Sequence, residues 1–123
     1  MRMDEENFHA TYDEDSMTVS FSGSMRMNNL SEFDKVNKFI HEAYDLEAPE
    51  LILDYTRLEF MNSAGISTLC KFIFDIKDDS PGKPLTIIGN EDILWQRKSF
   101  ENLKRIWDKL AIRFERVDEG PAT

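Results

Sequence analysis

The pentapeptide Met61-Asn62-Ser63-Ala64-Gly65 contains the residue types in this chain that could do chemistry. It follows an apolar, strand-like run, ELILDYT, and it precedes a helix-like run, TLCKFIFDI. A serine at a strand-to-helix turn also occurs in the nucleophile elbow of hydrolases, where the pattern is G-x-S-x-G. Only the second glycine of that pattern, Gly65, is present here. A serine hydrolase acting through Ser63 is therefore one interpretation, although the pattern supports it poorly.

The two histidines are poor partners for a nucleophilic serine. His9 falls on the polar side of an early strand, and His41 lies among Lys38 and Glu42 on a helix face that we expect to be solvated. The sequence also contains no H-E-x-x-H motif, no paired cysteines and no glycine-rich phosphate loop. We therefore expect no catalytic residue, no metal site and no cofactor.

Two other roles fit the pentapeptide. Asn62 is a good helix N-cap, because its side-chain oxygen can accept a hydrogen bond from a free backbone N–H, and Gly65 allows the helix to start close to the sheet. The hydroxyl of Ser63 would then be exposed at the positive end of the helix. A phosphate there would face free N–H groups and would add ~1.5–2 negative charges, which a docked partner would not tolerate.

The elements that position Ser63 can be predicted from the hydrophobic periodicity. Alternation over residues 7–22 predicts a β-hairpin, followed by a loop, SGSMRMNN, and a helix that opens at Ser31. Three further strands alternate with two helices, the last of them a long helix that starts at Asn90, Glu91 and Asp92. The order β–β–α–β–α–β–α–β predicts an α/β fold, a mixed β-sheet with an N-terminal hairpin followed by βα repeats and with helices packed on it. The predicted strands of the repeats cover residues 51–53, 85–88 and 111–114.

The length of 123 residues suits a single domain, with a core of about residues 7–117, a loose acidic N-terminus and a loose C-terminal tail, DEGPAT. The chain carries 15 Lys and Arg against 24 Asp and Glu, a net charge of -9. This charge argues against nucleic-acid binding and against attachment to an anionic membrane.

The single cysteine, Cys70, allows no internal disulfide, and we expect it to be a small buried or half-buried filler on a helix rather than a reactive thiol. The acidic start MRMDEENFHA has no apolar core of a signal peptide. No apolar run approaches the ~20 residues that a membrane span needs. We therefore expect a soluble cytoplasmic protein.

The stretch LILDYTRLEFMNSAGISTLCKF resembles the signature of STAS domains, the anti-sigma-factor antagonists of the SpoIIAA type. That signature has an apolar strand, an Asp, a short link, an apolar-aromatic pair, D-S-[ST]-G and an apolar helix. The predicted element order over residues 7–117 fits the family as well, whereas the family's G-E-[LI]-D loop is matched only at Gly23. The matching positions of the signature are Asp54, Phe60, Met61, Ser63, Gly65, Ile66 and Leu69.

The resemblance implies a bacterial signalling protein that regulates transcription by partner switching. Such proteins bind an anti-sigma serine kinase of the histidine-kinase-like ATPase fold when they are unphosphorylated. The kinase phosphorylates the serine after the motif Asp, and a PP2C-type phosphatase reverses the reaction. Carried over to this chain, the phosphorylated residue is Ser63. A constitutive STAS scaffold, never phosphorylated at Ser63, remains an alternative.

The tetrapeptide departs from the family pattern at two positions. Asn62 replaces the motif Asp, so the cap is kept but its charge is lost. Ala64 replaces a hydroxyl residue, which leaves Ser63 as the only residue of the tetrapeptide that could accept a phosphate. Thr68, one turn further, is a weaker alternative acceptor.

The predicted partner-binding face surrounds the start of this helix. Exposed Met25 and Met27 would provide an adaptable apolar contact, but burial of both beneath the first helix is equally compatible with the pattern. The full predicted set is Met25, Arg26, Met27, Asn28, Met61, Asn62, Ser63, Ala64, Gly65, Thr68 and Lys71.

Overall fold

The computed structural model describes residues 1–79 and 82–117, which form one six-stranded sheet with three helices packed on it. The spatial order of the strands follows the chain order, β1 to β6. A 3₁₀ turn at Asn102–Arg105 follows the last helix. The strands are β1 Arg2–Asp4, β2 Phe8–Asp13, β3 Thr18–Met25, β4 Leu51–Met61, β5 Leu85–Asn90 and β6 Ala111–Glu115, and the helices are α1 Leu30–Tyr44, α2 Ser63–Ile76 and α3 Leu94–Glu101.

The sheet is mixed, as predicted. Strands β1, β2 and β3 pair antiparallel, whereas β3, β4, β5 and β6 pair parallel. Each parallel pair is joined by a helix, and right-handed crossovers that all advance in one direction place these helices on one face of the sheet. The three helices therefore begin at the same edge of the sheet, beyond the carboxyl ends of β3, β4 and β5.

One hydrophobic core lies between the sheet and the helices. The buried rings of Phe21 on β3 and Tyr55 on β4 stack with centroids 4.6 Å apart, and Phe100 of α3 packs on Tyr55 at 5.2 Å. Between α1 and α2, the rings of Tyr44 and Phe72 meet edge to face at 5.7 Å. Aromatic pairs of this kind contribute about 0.5–1.5 kcal/mol each beyond their buried area, so they join neighbouring elements firmly.

The N-terminus differs from the prediction of a loose segment, because residues 2–4 form β1 and extend the hairpin to a third strand. Met3 packs against the core, while the Asp4 carboxylate accepts hydrogen bonds from Arg2 and from the His9 ring. Period-two alternation of polar and apolar residues therefore begins earlier than the predicted hairpin. The predicted tail at residues 118–123 lies outside the described residues.

Strand β3 continues to Met25, so the predicted loop after the hairpin is shorter than expected. Gly23 lies inside β3 with a φ of +94°, and a Cβ there would be 2.3 Å from the Asn7 carbonyl oxygen. Both the backbone conformation and the close approach require glycine at this position.

Helix α1 begins one residue earlier than predicted. It starts at Leu30 instead of Ser31, and Asn29 is its N-cap, since Asn29 Oδ1 accepts from the Glu32 N–H at 3.0 Å. The Asn29 amide also donates to Glu32 Oε1 at 3.0 Å, so the cap is reciprocal. In the sequence Asn29 looks like a loop residue, because its capping role is visible only from its hydrogen bonds with Glu32.

The third helix is shorter than predicted. Strand β5 runs through Gly89 to Asn90, and α3 starts only at Leu94. Asn90 pairs with Glu115 of β6 and so belongs to the sheet. A Cβ at Gly89 would lie 2.8 Å from the Phe114 ring, so glycine at this position gives the ring room rather than ending the strand.

Candidate functional site

Asn62 lies at the junction of β4 and α2 and is the N-cap of the helix. Its Oδ1 accepts a hydrogen bond from the Gly65 N–H at 3.1 Å, and its backbone carbonyl accepts from the Ile66 N–H at 3.1 Å. The side chain thereby satisfies one of the free N–H groups at the helix start, and the backbone carbonyl accepts the first regular hydrogen bond of the helix. The turn that carries Ser63 consequently has a defined geometry.

Asn62 also holds the loop of residues 26–28, which faces the start of α2. The sequence did not predict this contact. Its Nδ2 donates to the Met27 carbonyl at 2.9 Å, and its backbone N–H donates to the Met25 carbonyl at 3.0 Å. The side chain is therefore a donor on one side and an acceptor on the other. Aspartate, which has no donor when ionised, could make only the contact to the helix.

Methionine side chains pack beneath the helix start. A Cβ on Gly65 would lie 2.3 Å from Met61 Cγ and 3.2 Å from Met25 Sδ, so α2 can approach the sheet this closely only with glycine there. Met25, Met27 and Met61 are all buried. Of the two interpretations of Met25 and Met27, burial is the correct one, and the expected exposed methionine contact is wrong.

Ser63 is exposed at the first position of α2, with half-buried Ala64 beside it. The backbone N–H groups at the first two helical positions have no acceptor within the helix. The first turn of α2, which lies wholly inside the described residues, carries no acidic side chain. The positive end of the helix dipole therefore has no carboxylate on its own first turn opposing it, and an anion at Ser63 would be favoured there.

Thr68 cannot serve as the alternative acceptor in this structure. Its side chain is 1% exposed, and its hydroxyl donates to the Ala64 carbonyl at 2.9 Å. The predicted place of Thr68 on the binding face is therefore wrong, because helical periodicity turns this residue toward the sheet. Ser67, its neighbour in the chain, is exposed instead.

The solvent-facing side of α2 carries Ser63, Ser67, Lys71 and Phe74, which we call the outer stripe. These residues follow one another at three- or four-residue spacing, opposite the buried Leu69, Phe72 and Ile73. Phe74 is 57% exposed, which is unusual for a large apolar side chain, and Lys71 pairs with Asp75 at 3.1 Å. Ser67 and Phe74 were missed in the sequence, although the period of the apolar residues would have placed them there.

The facing loop contributes two exposed residues from the predicted set, Arg26 and Asn28. The Arg26 guanidinium lies 4.2 Å from the centroid of the Phe60 ring, at the end of β4. This cation–π contact gives a long side chain a preferred position beside the start of α2. Two exposed polar side chains of the loop thus remain available to a partner.

The carboxyl end of β4 is irregular, and a buried amide stabilises it. Gln96 is 0% exposed, and its Nε2 donates to the carbonyls of Tyr55 and Leu58 at 2.7 and 2.8 Å while its Oε1 accepts from the Asn90 N–H at 2.7 Å. Asp54, the matched signature residue, accepts from the Thr56 N–H and hydroxyl at 2.8 and 2.7 Å. Together these contacts form the strand ending from which Asn62 and Ser63 follow.

Gln96 was missed in the sequence analysis. A signal for it existed, because Gln96, Phe100 and Leu103 follow one another at the i, i+4, i+7 spacing of an apolar helix face. A polar residue on such a face must find buried hydrogen-bond partners, and here the partners come from β4 and β5.

The geometry does not support a serine hydrolase. His9 pairs with Asp4 at 2.7 Å, and His41 pairs with Asp75 at 3.0 Å, so neither ring is placed on Ser63. Burial raises the pKa of the Cys70 thiol, which disfavours the thiolate. Within residues 1–79 and 82–117, no three or more His, Cys, Asp or Glu side chains are grouped to hold a metal ion.

No helix in the described part of the chain is both long and apolar enough to cross a membrane. No protein-family model matches the sequence, and no curated protein matches it significantly.

Solved structures match nearly the whole chain. SiaC of Pseudomonas aeruginosa does so with a TM-score of 0.68 and 16% identity, covering 94% of this chain and 98% of that one. A chain in the crystal structure of diguanylate cyclase SiaD in complex with its activator SiaC, also from Pseudomonas aeruginosa, gives 0.67 and 17%, covering 94% and 99%. An anti-sigma factor antagonist from Mycobacterium paratuberculosis gives 0.54 and 15%, covering 90% and 82%. The chain therefore has the STAS, or SpoIIAA-like, fold.

Proposed function

We propose that this protein is a non-enzymatic signalling module that acts by partner switching and is controlled by phosphorylation of Ser63. The observation that carries the proposal is the exposed Ser63 hydroxyl at the first position of α2, where the first turn holds no acid. The fold it shares with an anti-sigma factor antagonist supports the same function. The lost charge at Asn62 does not remove the site, since Asn62 still caps the helix.

A phosphate on Ser63 would change the surface without disrupting the fold. The free N–H groups and the helix dipole favour an anion at this end, so α2 would remain intact. A partner that covers the same spot would have to desolvate ~1.5–2 negative charges, which costs far more than desolvating a hydroxyl. Phosphorylation would therefore act on binding rather than on stability.

The outer stripe of α2, together with Arg26 and Asn28, is the proposed partner-binding surface. Ser63 and Phe74 are eleven residues apart on one helix, about 16 Å at ~1.5 Å per residue. A partner that covers Ser63 can therefore reach the exposed Phe74 ring, and aromatic side chains of this kind often anchor interfaces. Lys71 lies between them and would contribute a peripheral polar contact.

The proposed partner is an anti-sigma factor or serine kinase of the histidine-kinase-like ATPase fold, with a PP2C-type phosphatase that restores the hydroxyl. Both follow from the resemblance of the Ser63 segment to the antagonist signature. The proposed location is the cytoplasm, where such bacterial partners act on transcription.

A second candidate output is direct activation of an enzyme. SiaC, whose structure matches this chain with a higher TM-score than the antagonist does, is described as the activator of a diguanylate cyclase. An output enzyme bound by the same surface of this chain would be regulated through Ser63 in the same way. The proteins recovered with the wild-type chain distinguish the two outputs.

The proposal is tested by co-purification from native cells, with mass spectrometry of the peptide that contains Ser63. We expect phosphate on Ser63 in part of the material, and a partner that binds Ser63→Ala but binds Ser63→Asp at least tenfold more weakly. Ser16→Asp is the matched control, because Ser16 is also exposed but lies in the turn between β2 and β3, away from the start of α2. Equal binding of Ser63→Asp and wild type would refute the switch. Intact Ser63→Ala binding without any phosphate in the wild type would instead favour the constitutive scaffold.

A further inference from the structure

Asn62 connects two parts of the chain that are far apart in sequence. On one side it accepts from Gly65 and Ile66 of α2, and on the other it donates to Met25 and Met27. Four hydrogen bonds of 2.9 to 3.1 Å thus meet at a single half-buried residue.

We infer that Asn62 is a positioning residue that holds the loop of residues 26–28 against the start of α2, so that a partner meets Arg26, Asn28 and Ser63 as one rigid surface. The recognition part of this inference rests on the proposed function. The link itself is a property of the fold, since it joins the segment after β3 to the segment after β4. If the link breaks, the loop samples other positions, and apparent affinity falls with the fraction of molecules in the competent one.

The link requires the amide, and this gives the departure from the antagonist signature a physical reason. An aspartate would keep the acceptor for the Gly65 N–H but would place a second oxygen 2.9 Å from the Met27 carbonyl oxygen, where the amide nitrogen now lies. Two acceptors at that distance repel each other, and the Met27 carbonyl would lose its donor. In this chain, the residue before Ser63 therefore serves as a donor to the loop as well as a cap.

The neighbouring contacts explain why this one bond matters. The Met25 side chain, at the end of β3, is buried and Asn29 caps α1, so both flanks of the loop are already fixed. The backbone between them carries Arg26 and Asn28, both exposed. The Asn62 amide ties the backbone of this segment to the start of α2 through a hydrogen bond.

The test compares Asn62→Asp with Asn62→Ala by amide hydrogen exchange, without any partner. In Asn62→Asp, we expect the Gly65 N–H to stay protected because the cap is kept. We also expect protection of the residue 62 N–H, which donates to the Met25 carbonyl at the end of β3, to fall at least tenfold, because release of the Met27 carbonyl lets this end of β3 fray. In Asn62→Ala, both should lose protection. Unchanged protection at residue 62 in Asn62→Asp would overturn the inference, whatever the partner proves to be.

A binding measurement tests the recognition part separately. We expect Asn62→Asp to weaken partner binding about 5- to 30-fold, as the loss of one well-placed hydrogen bond would. Asn102→Asp, the same chemical change at an exposed residue of the 3₁₀ turn, outside α2 and its facing loop, should leave binding unchanged. Lost amide protection at residue 62 together with wild-type affinity in Asn62→Asp would show that the partner does not recognise the loop. This result would refute the recognition part. Failure of Ser63→Asp to weaken binding would refute only the proposed switch and would leave the hydrogen-exchange result standing.

Discussion

Replacing Gln96 by leucine should destabilise the protein strongly, although the change makes a buried site more apolar. Leucine has a similar volume, but it can neither donate to the carbonyls of Tyr55 and Leu58 nor accept from the Asn90 N–H. Three backbone groups around a fully buried position would then have lost a partner. The end of β4, from which Asn62 follows, would be the first region affected.

The size of the effect follows from those three groups. An unsatisfied buried polar group costs about 1–3 kcal/mol, but partial relaxation and water entry keep the costs from adding fully. We expect a loss of about 3–5 kcal/mol in the free energy of unfolding. This is a large part of the 5–15 kcal/mol that is typical of single domains.

Urea unfolding at neutral pH measures this loss. Asn102→Ala is the control, since Asn102 is an exposed amide on the next turn of the chain and its removal should change stability by less than about 0.5 kcal/mol. A loss below ~1 kcal/mol for Gln96→Leu would refute the reasoning, because it would mean that water or other groups satisfy the three backbone partners equally well.

The remaining predictions concern the outer side of α2. Burial opposes ionisation of Asp75, but hydrogen bonds and charges from Lys71 and His41 exceed it and lower the pKa of Asp75. The ionised Asp75 therefore stabilises the fold above its unfolded pKa of 3.8, and this stabilisation is lost as pH falls through the lower pKa of the folded state. The melting temperature should consequently fall less in acid for Asp75→Asn than for wild type. Parallel melting curves below pH 5 would contradict this. Phe74→Ala should weaken partner binding tenfold or more while changing stability by less than ~0.5 kcal/mol, because the exposed ring contributes little to the core. Unchanged affinity in a titration calorimeter would remove Phe74 from the proposed surface.

Much of the fold could be predicted because its signals are local. Alternation marked the hairpin, consecutive apolar residues marked β4 and β5, and three- and four-residue spacing marked α1 and α2. Prediction failed at element boundaries. Asn90 can begin a helix or end a strand, and only its pairing with β6 and its bond to Gln96 decide between them. Strand β1 was missed because a three-residue strand shows its pattern only beside the strand it pairs with.

The candidate site shows the same division. Asn62 as a cap and Gly65 as a close-packing residue were predictable, since the cap depends on a residue three positions away and the closest contact of Gly65 is with Met61, four positions away. The exposure of Phe74 and the burial of Thr68 follow from the same helical period, once the face of α2 that meets the sheet is known. The burial of Met25 and Met27 was not decided by pattern, because methionine suits both a core and a contact surface.

The sequence alone determined which residue caps α2, which serine follows the cap and which elements lie on either side. These features depend on neighbours along the chain. Tertiary structure decided what those residues touch. Only the parallel pairing of β3 with β4 brings the Met27 carbonyl to the Asn62 amide, across 35 positions of sequence. Only the return of α3 over the sheet brings Gln96 to β4. Hydrogen bonds between residues so distant have no local pattern, because their partners are chosen by the packing of whole elements.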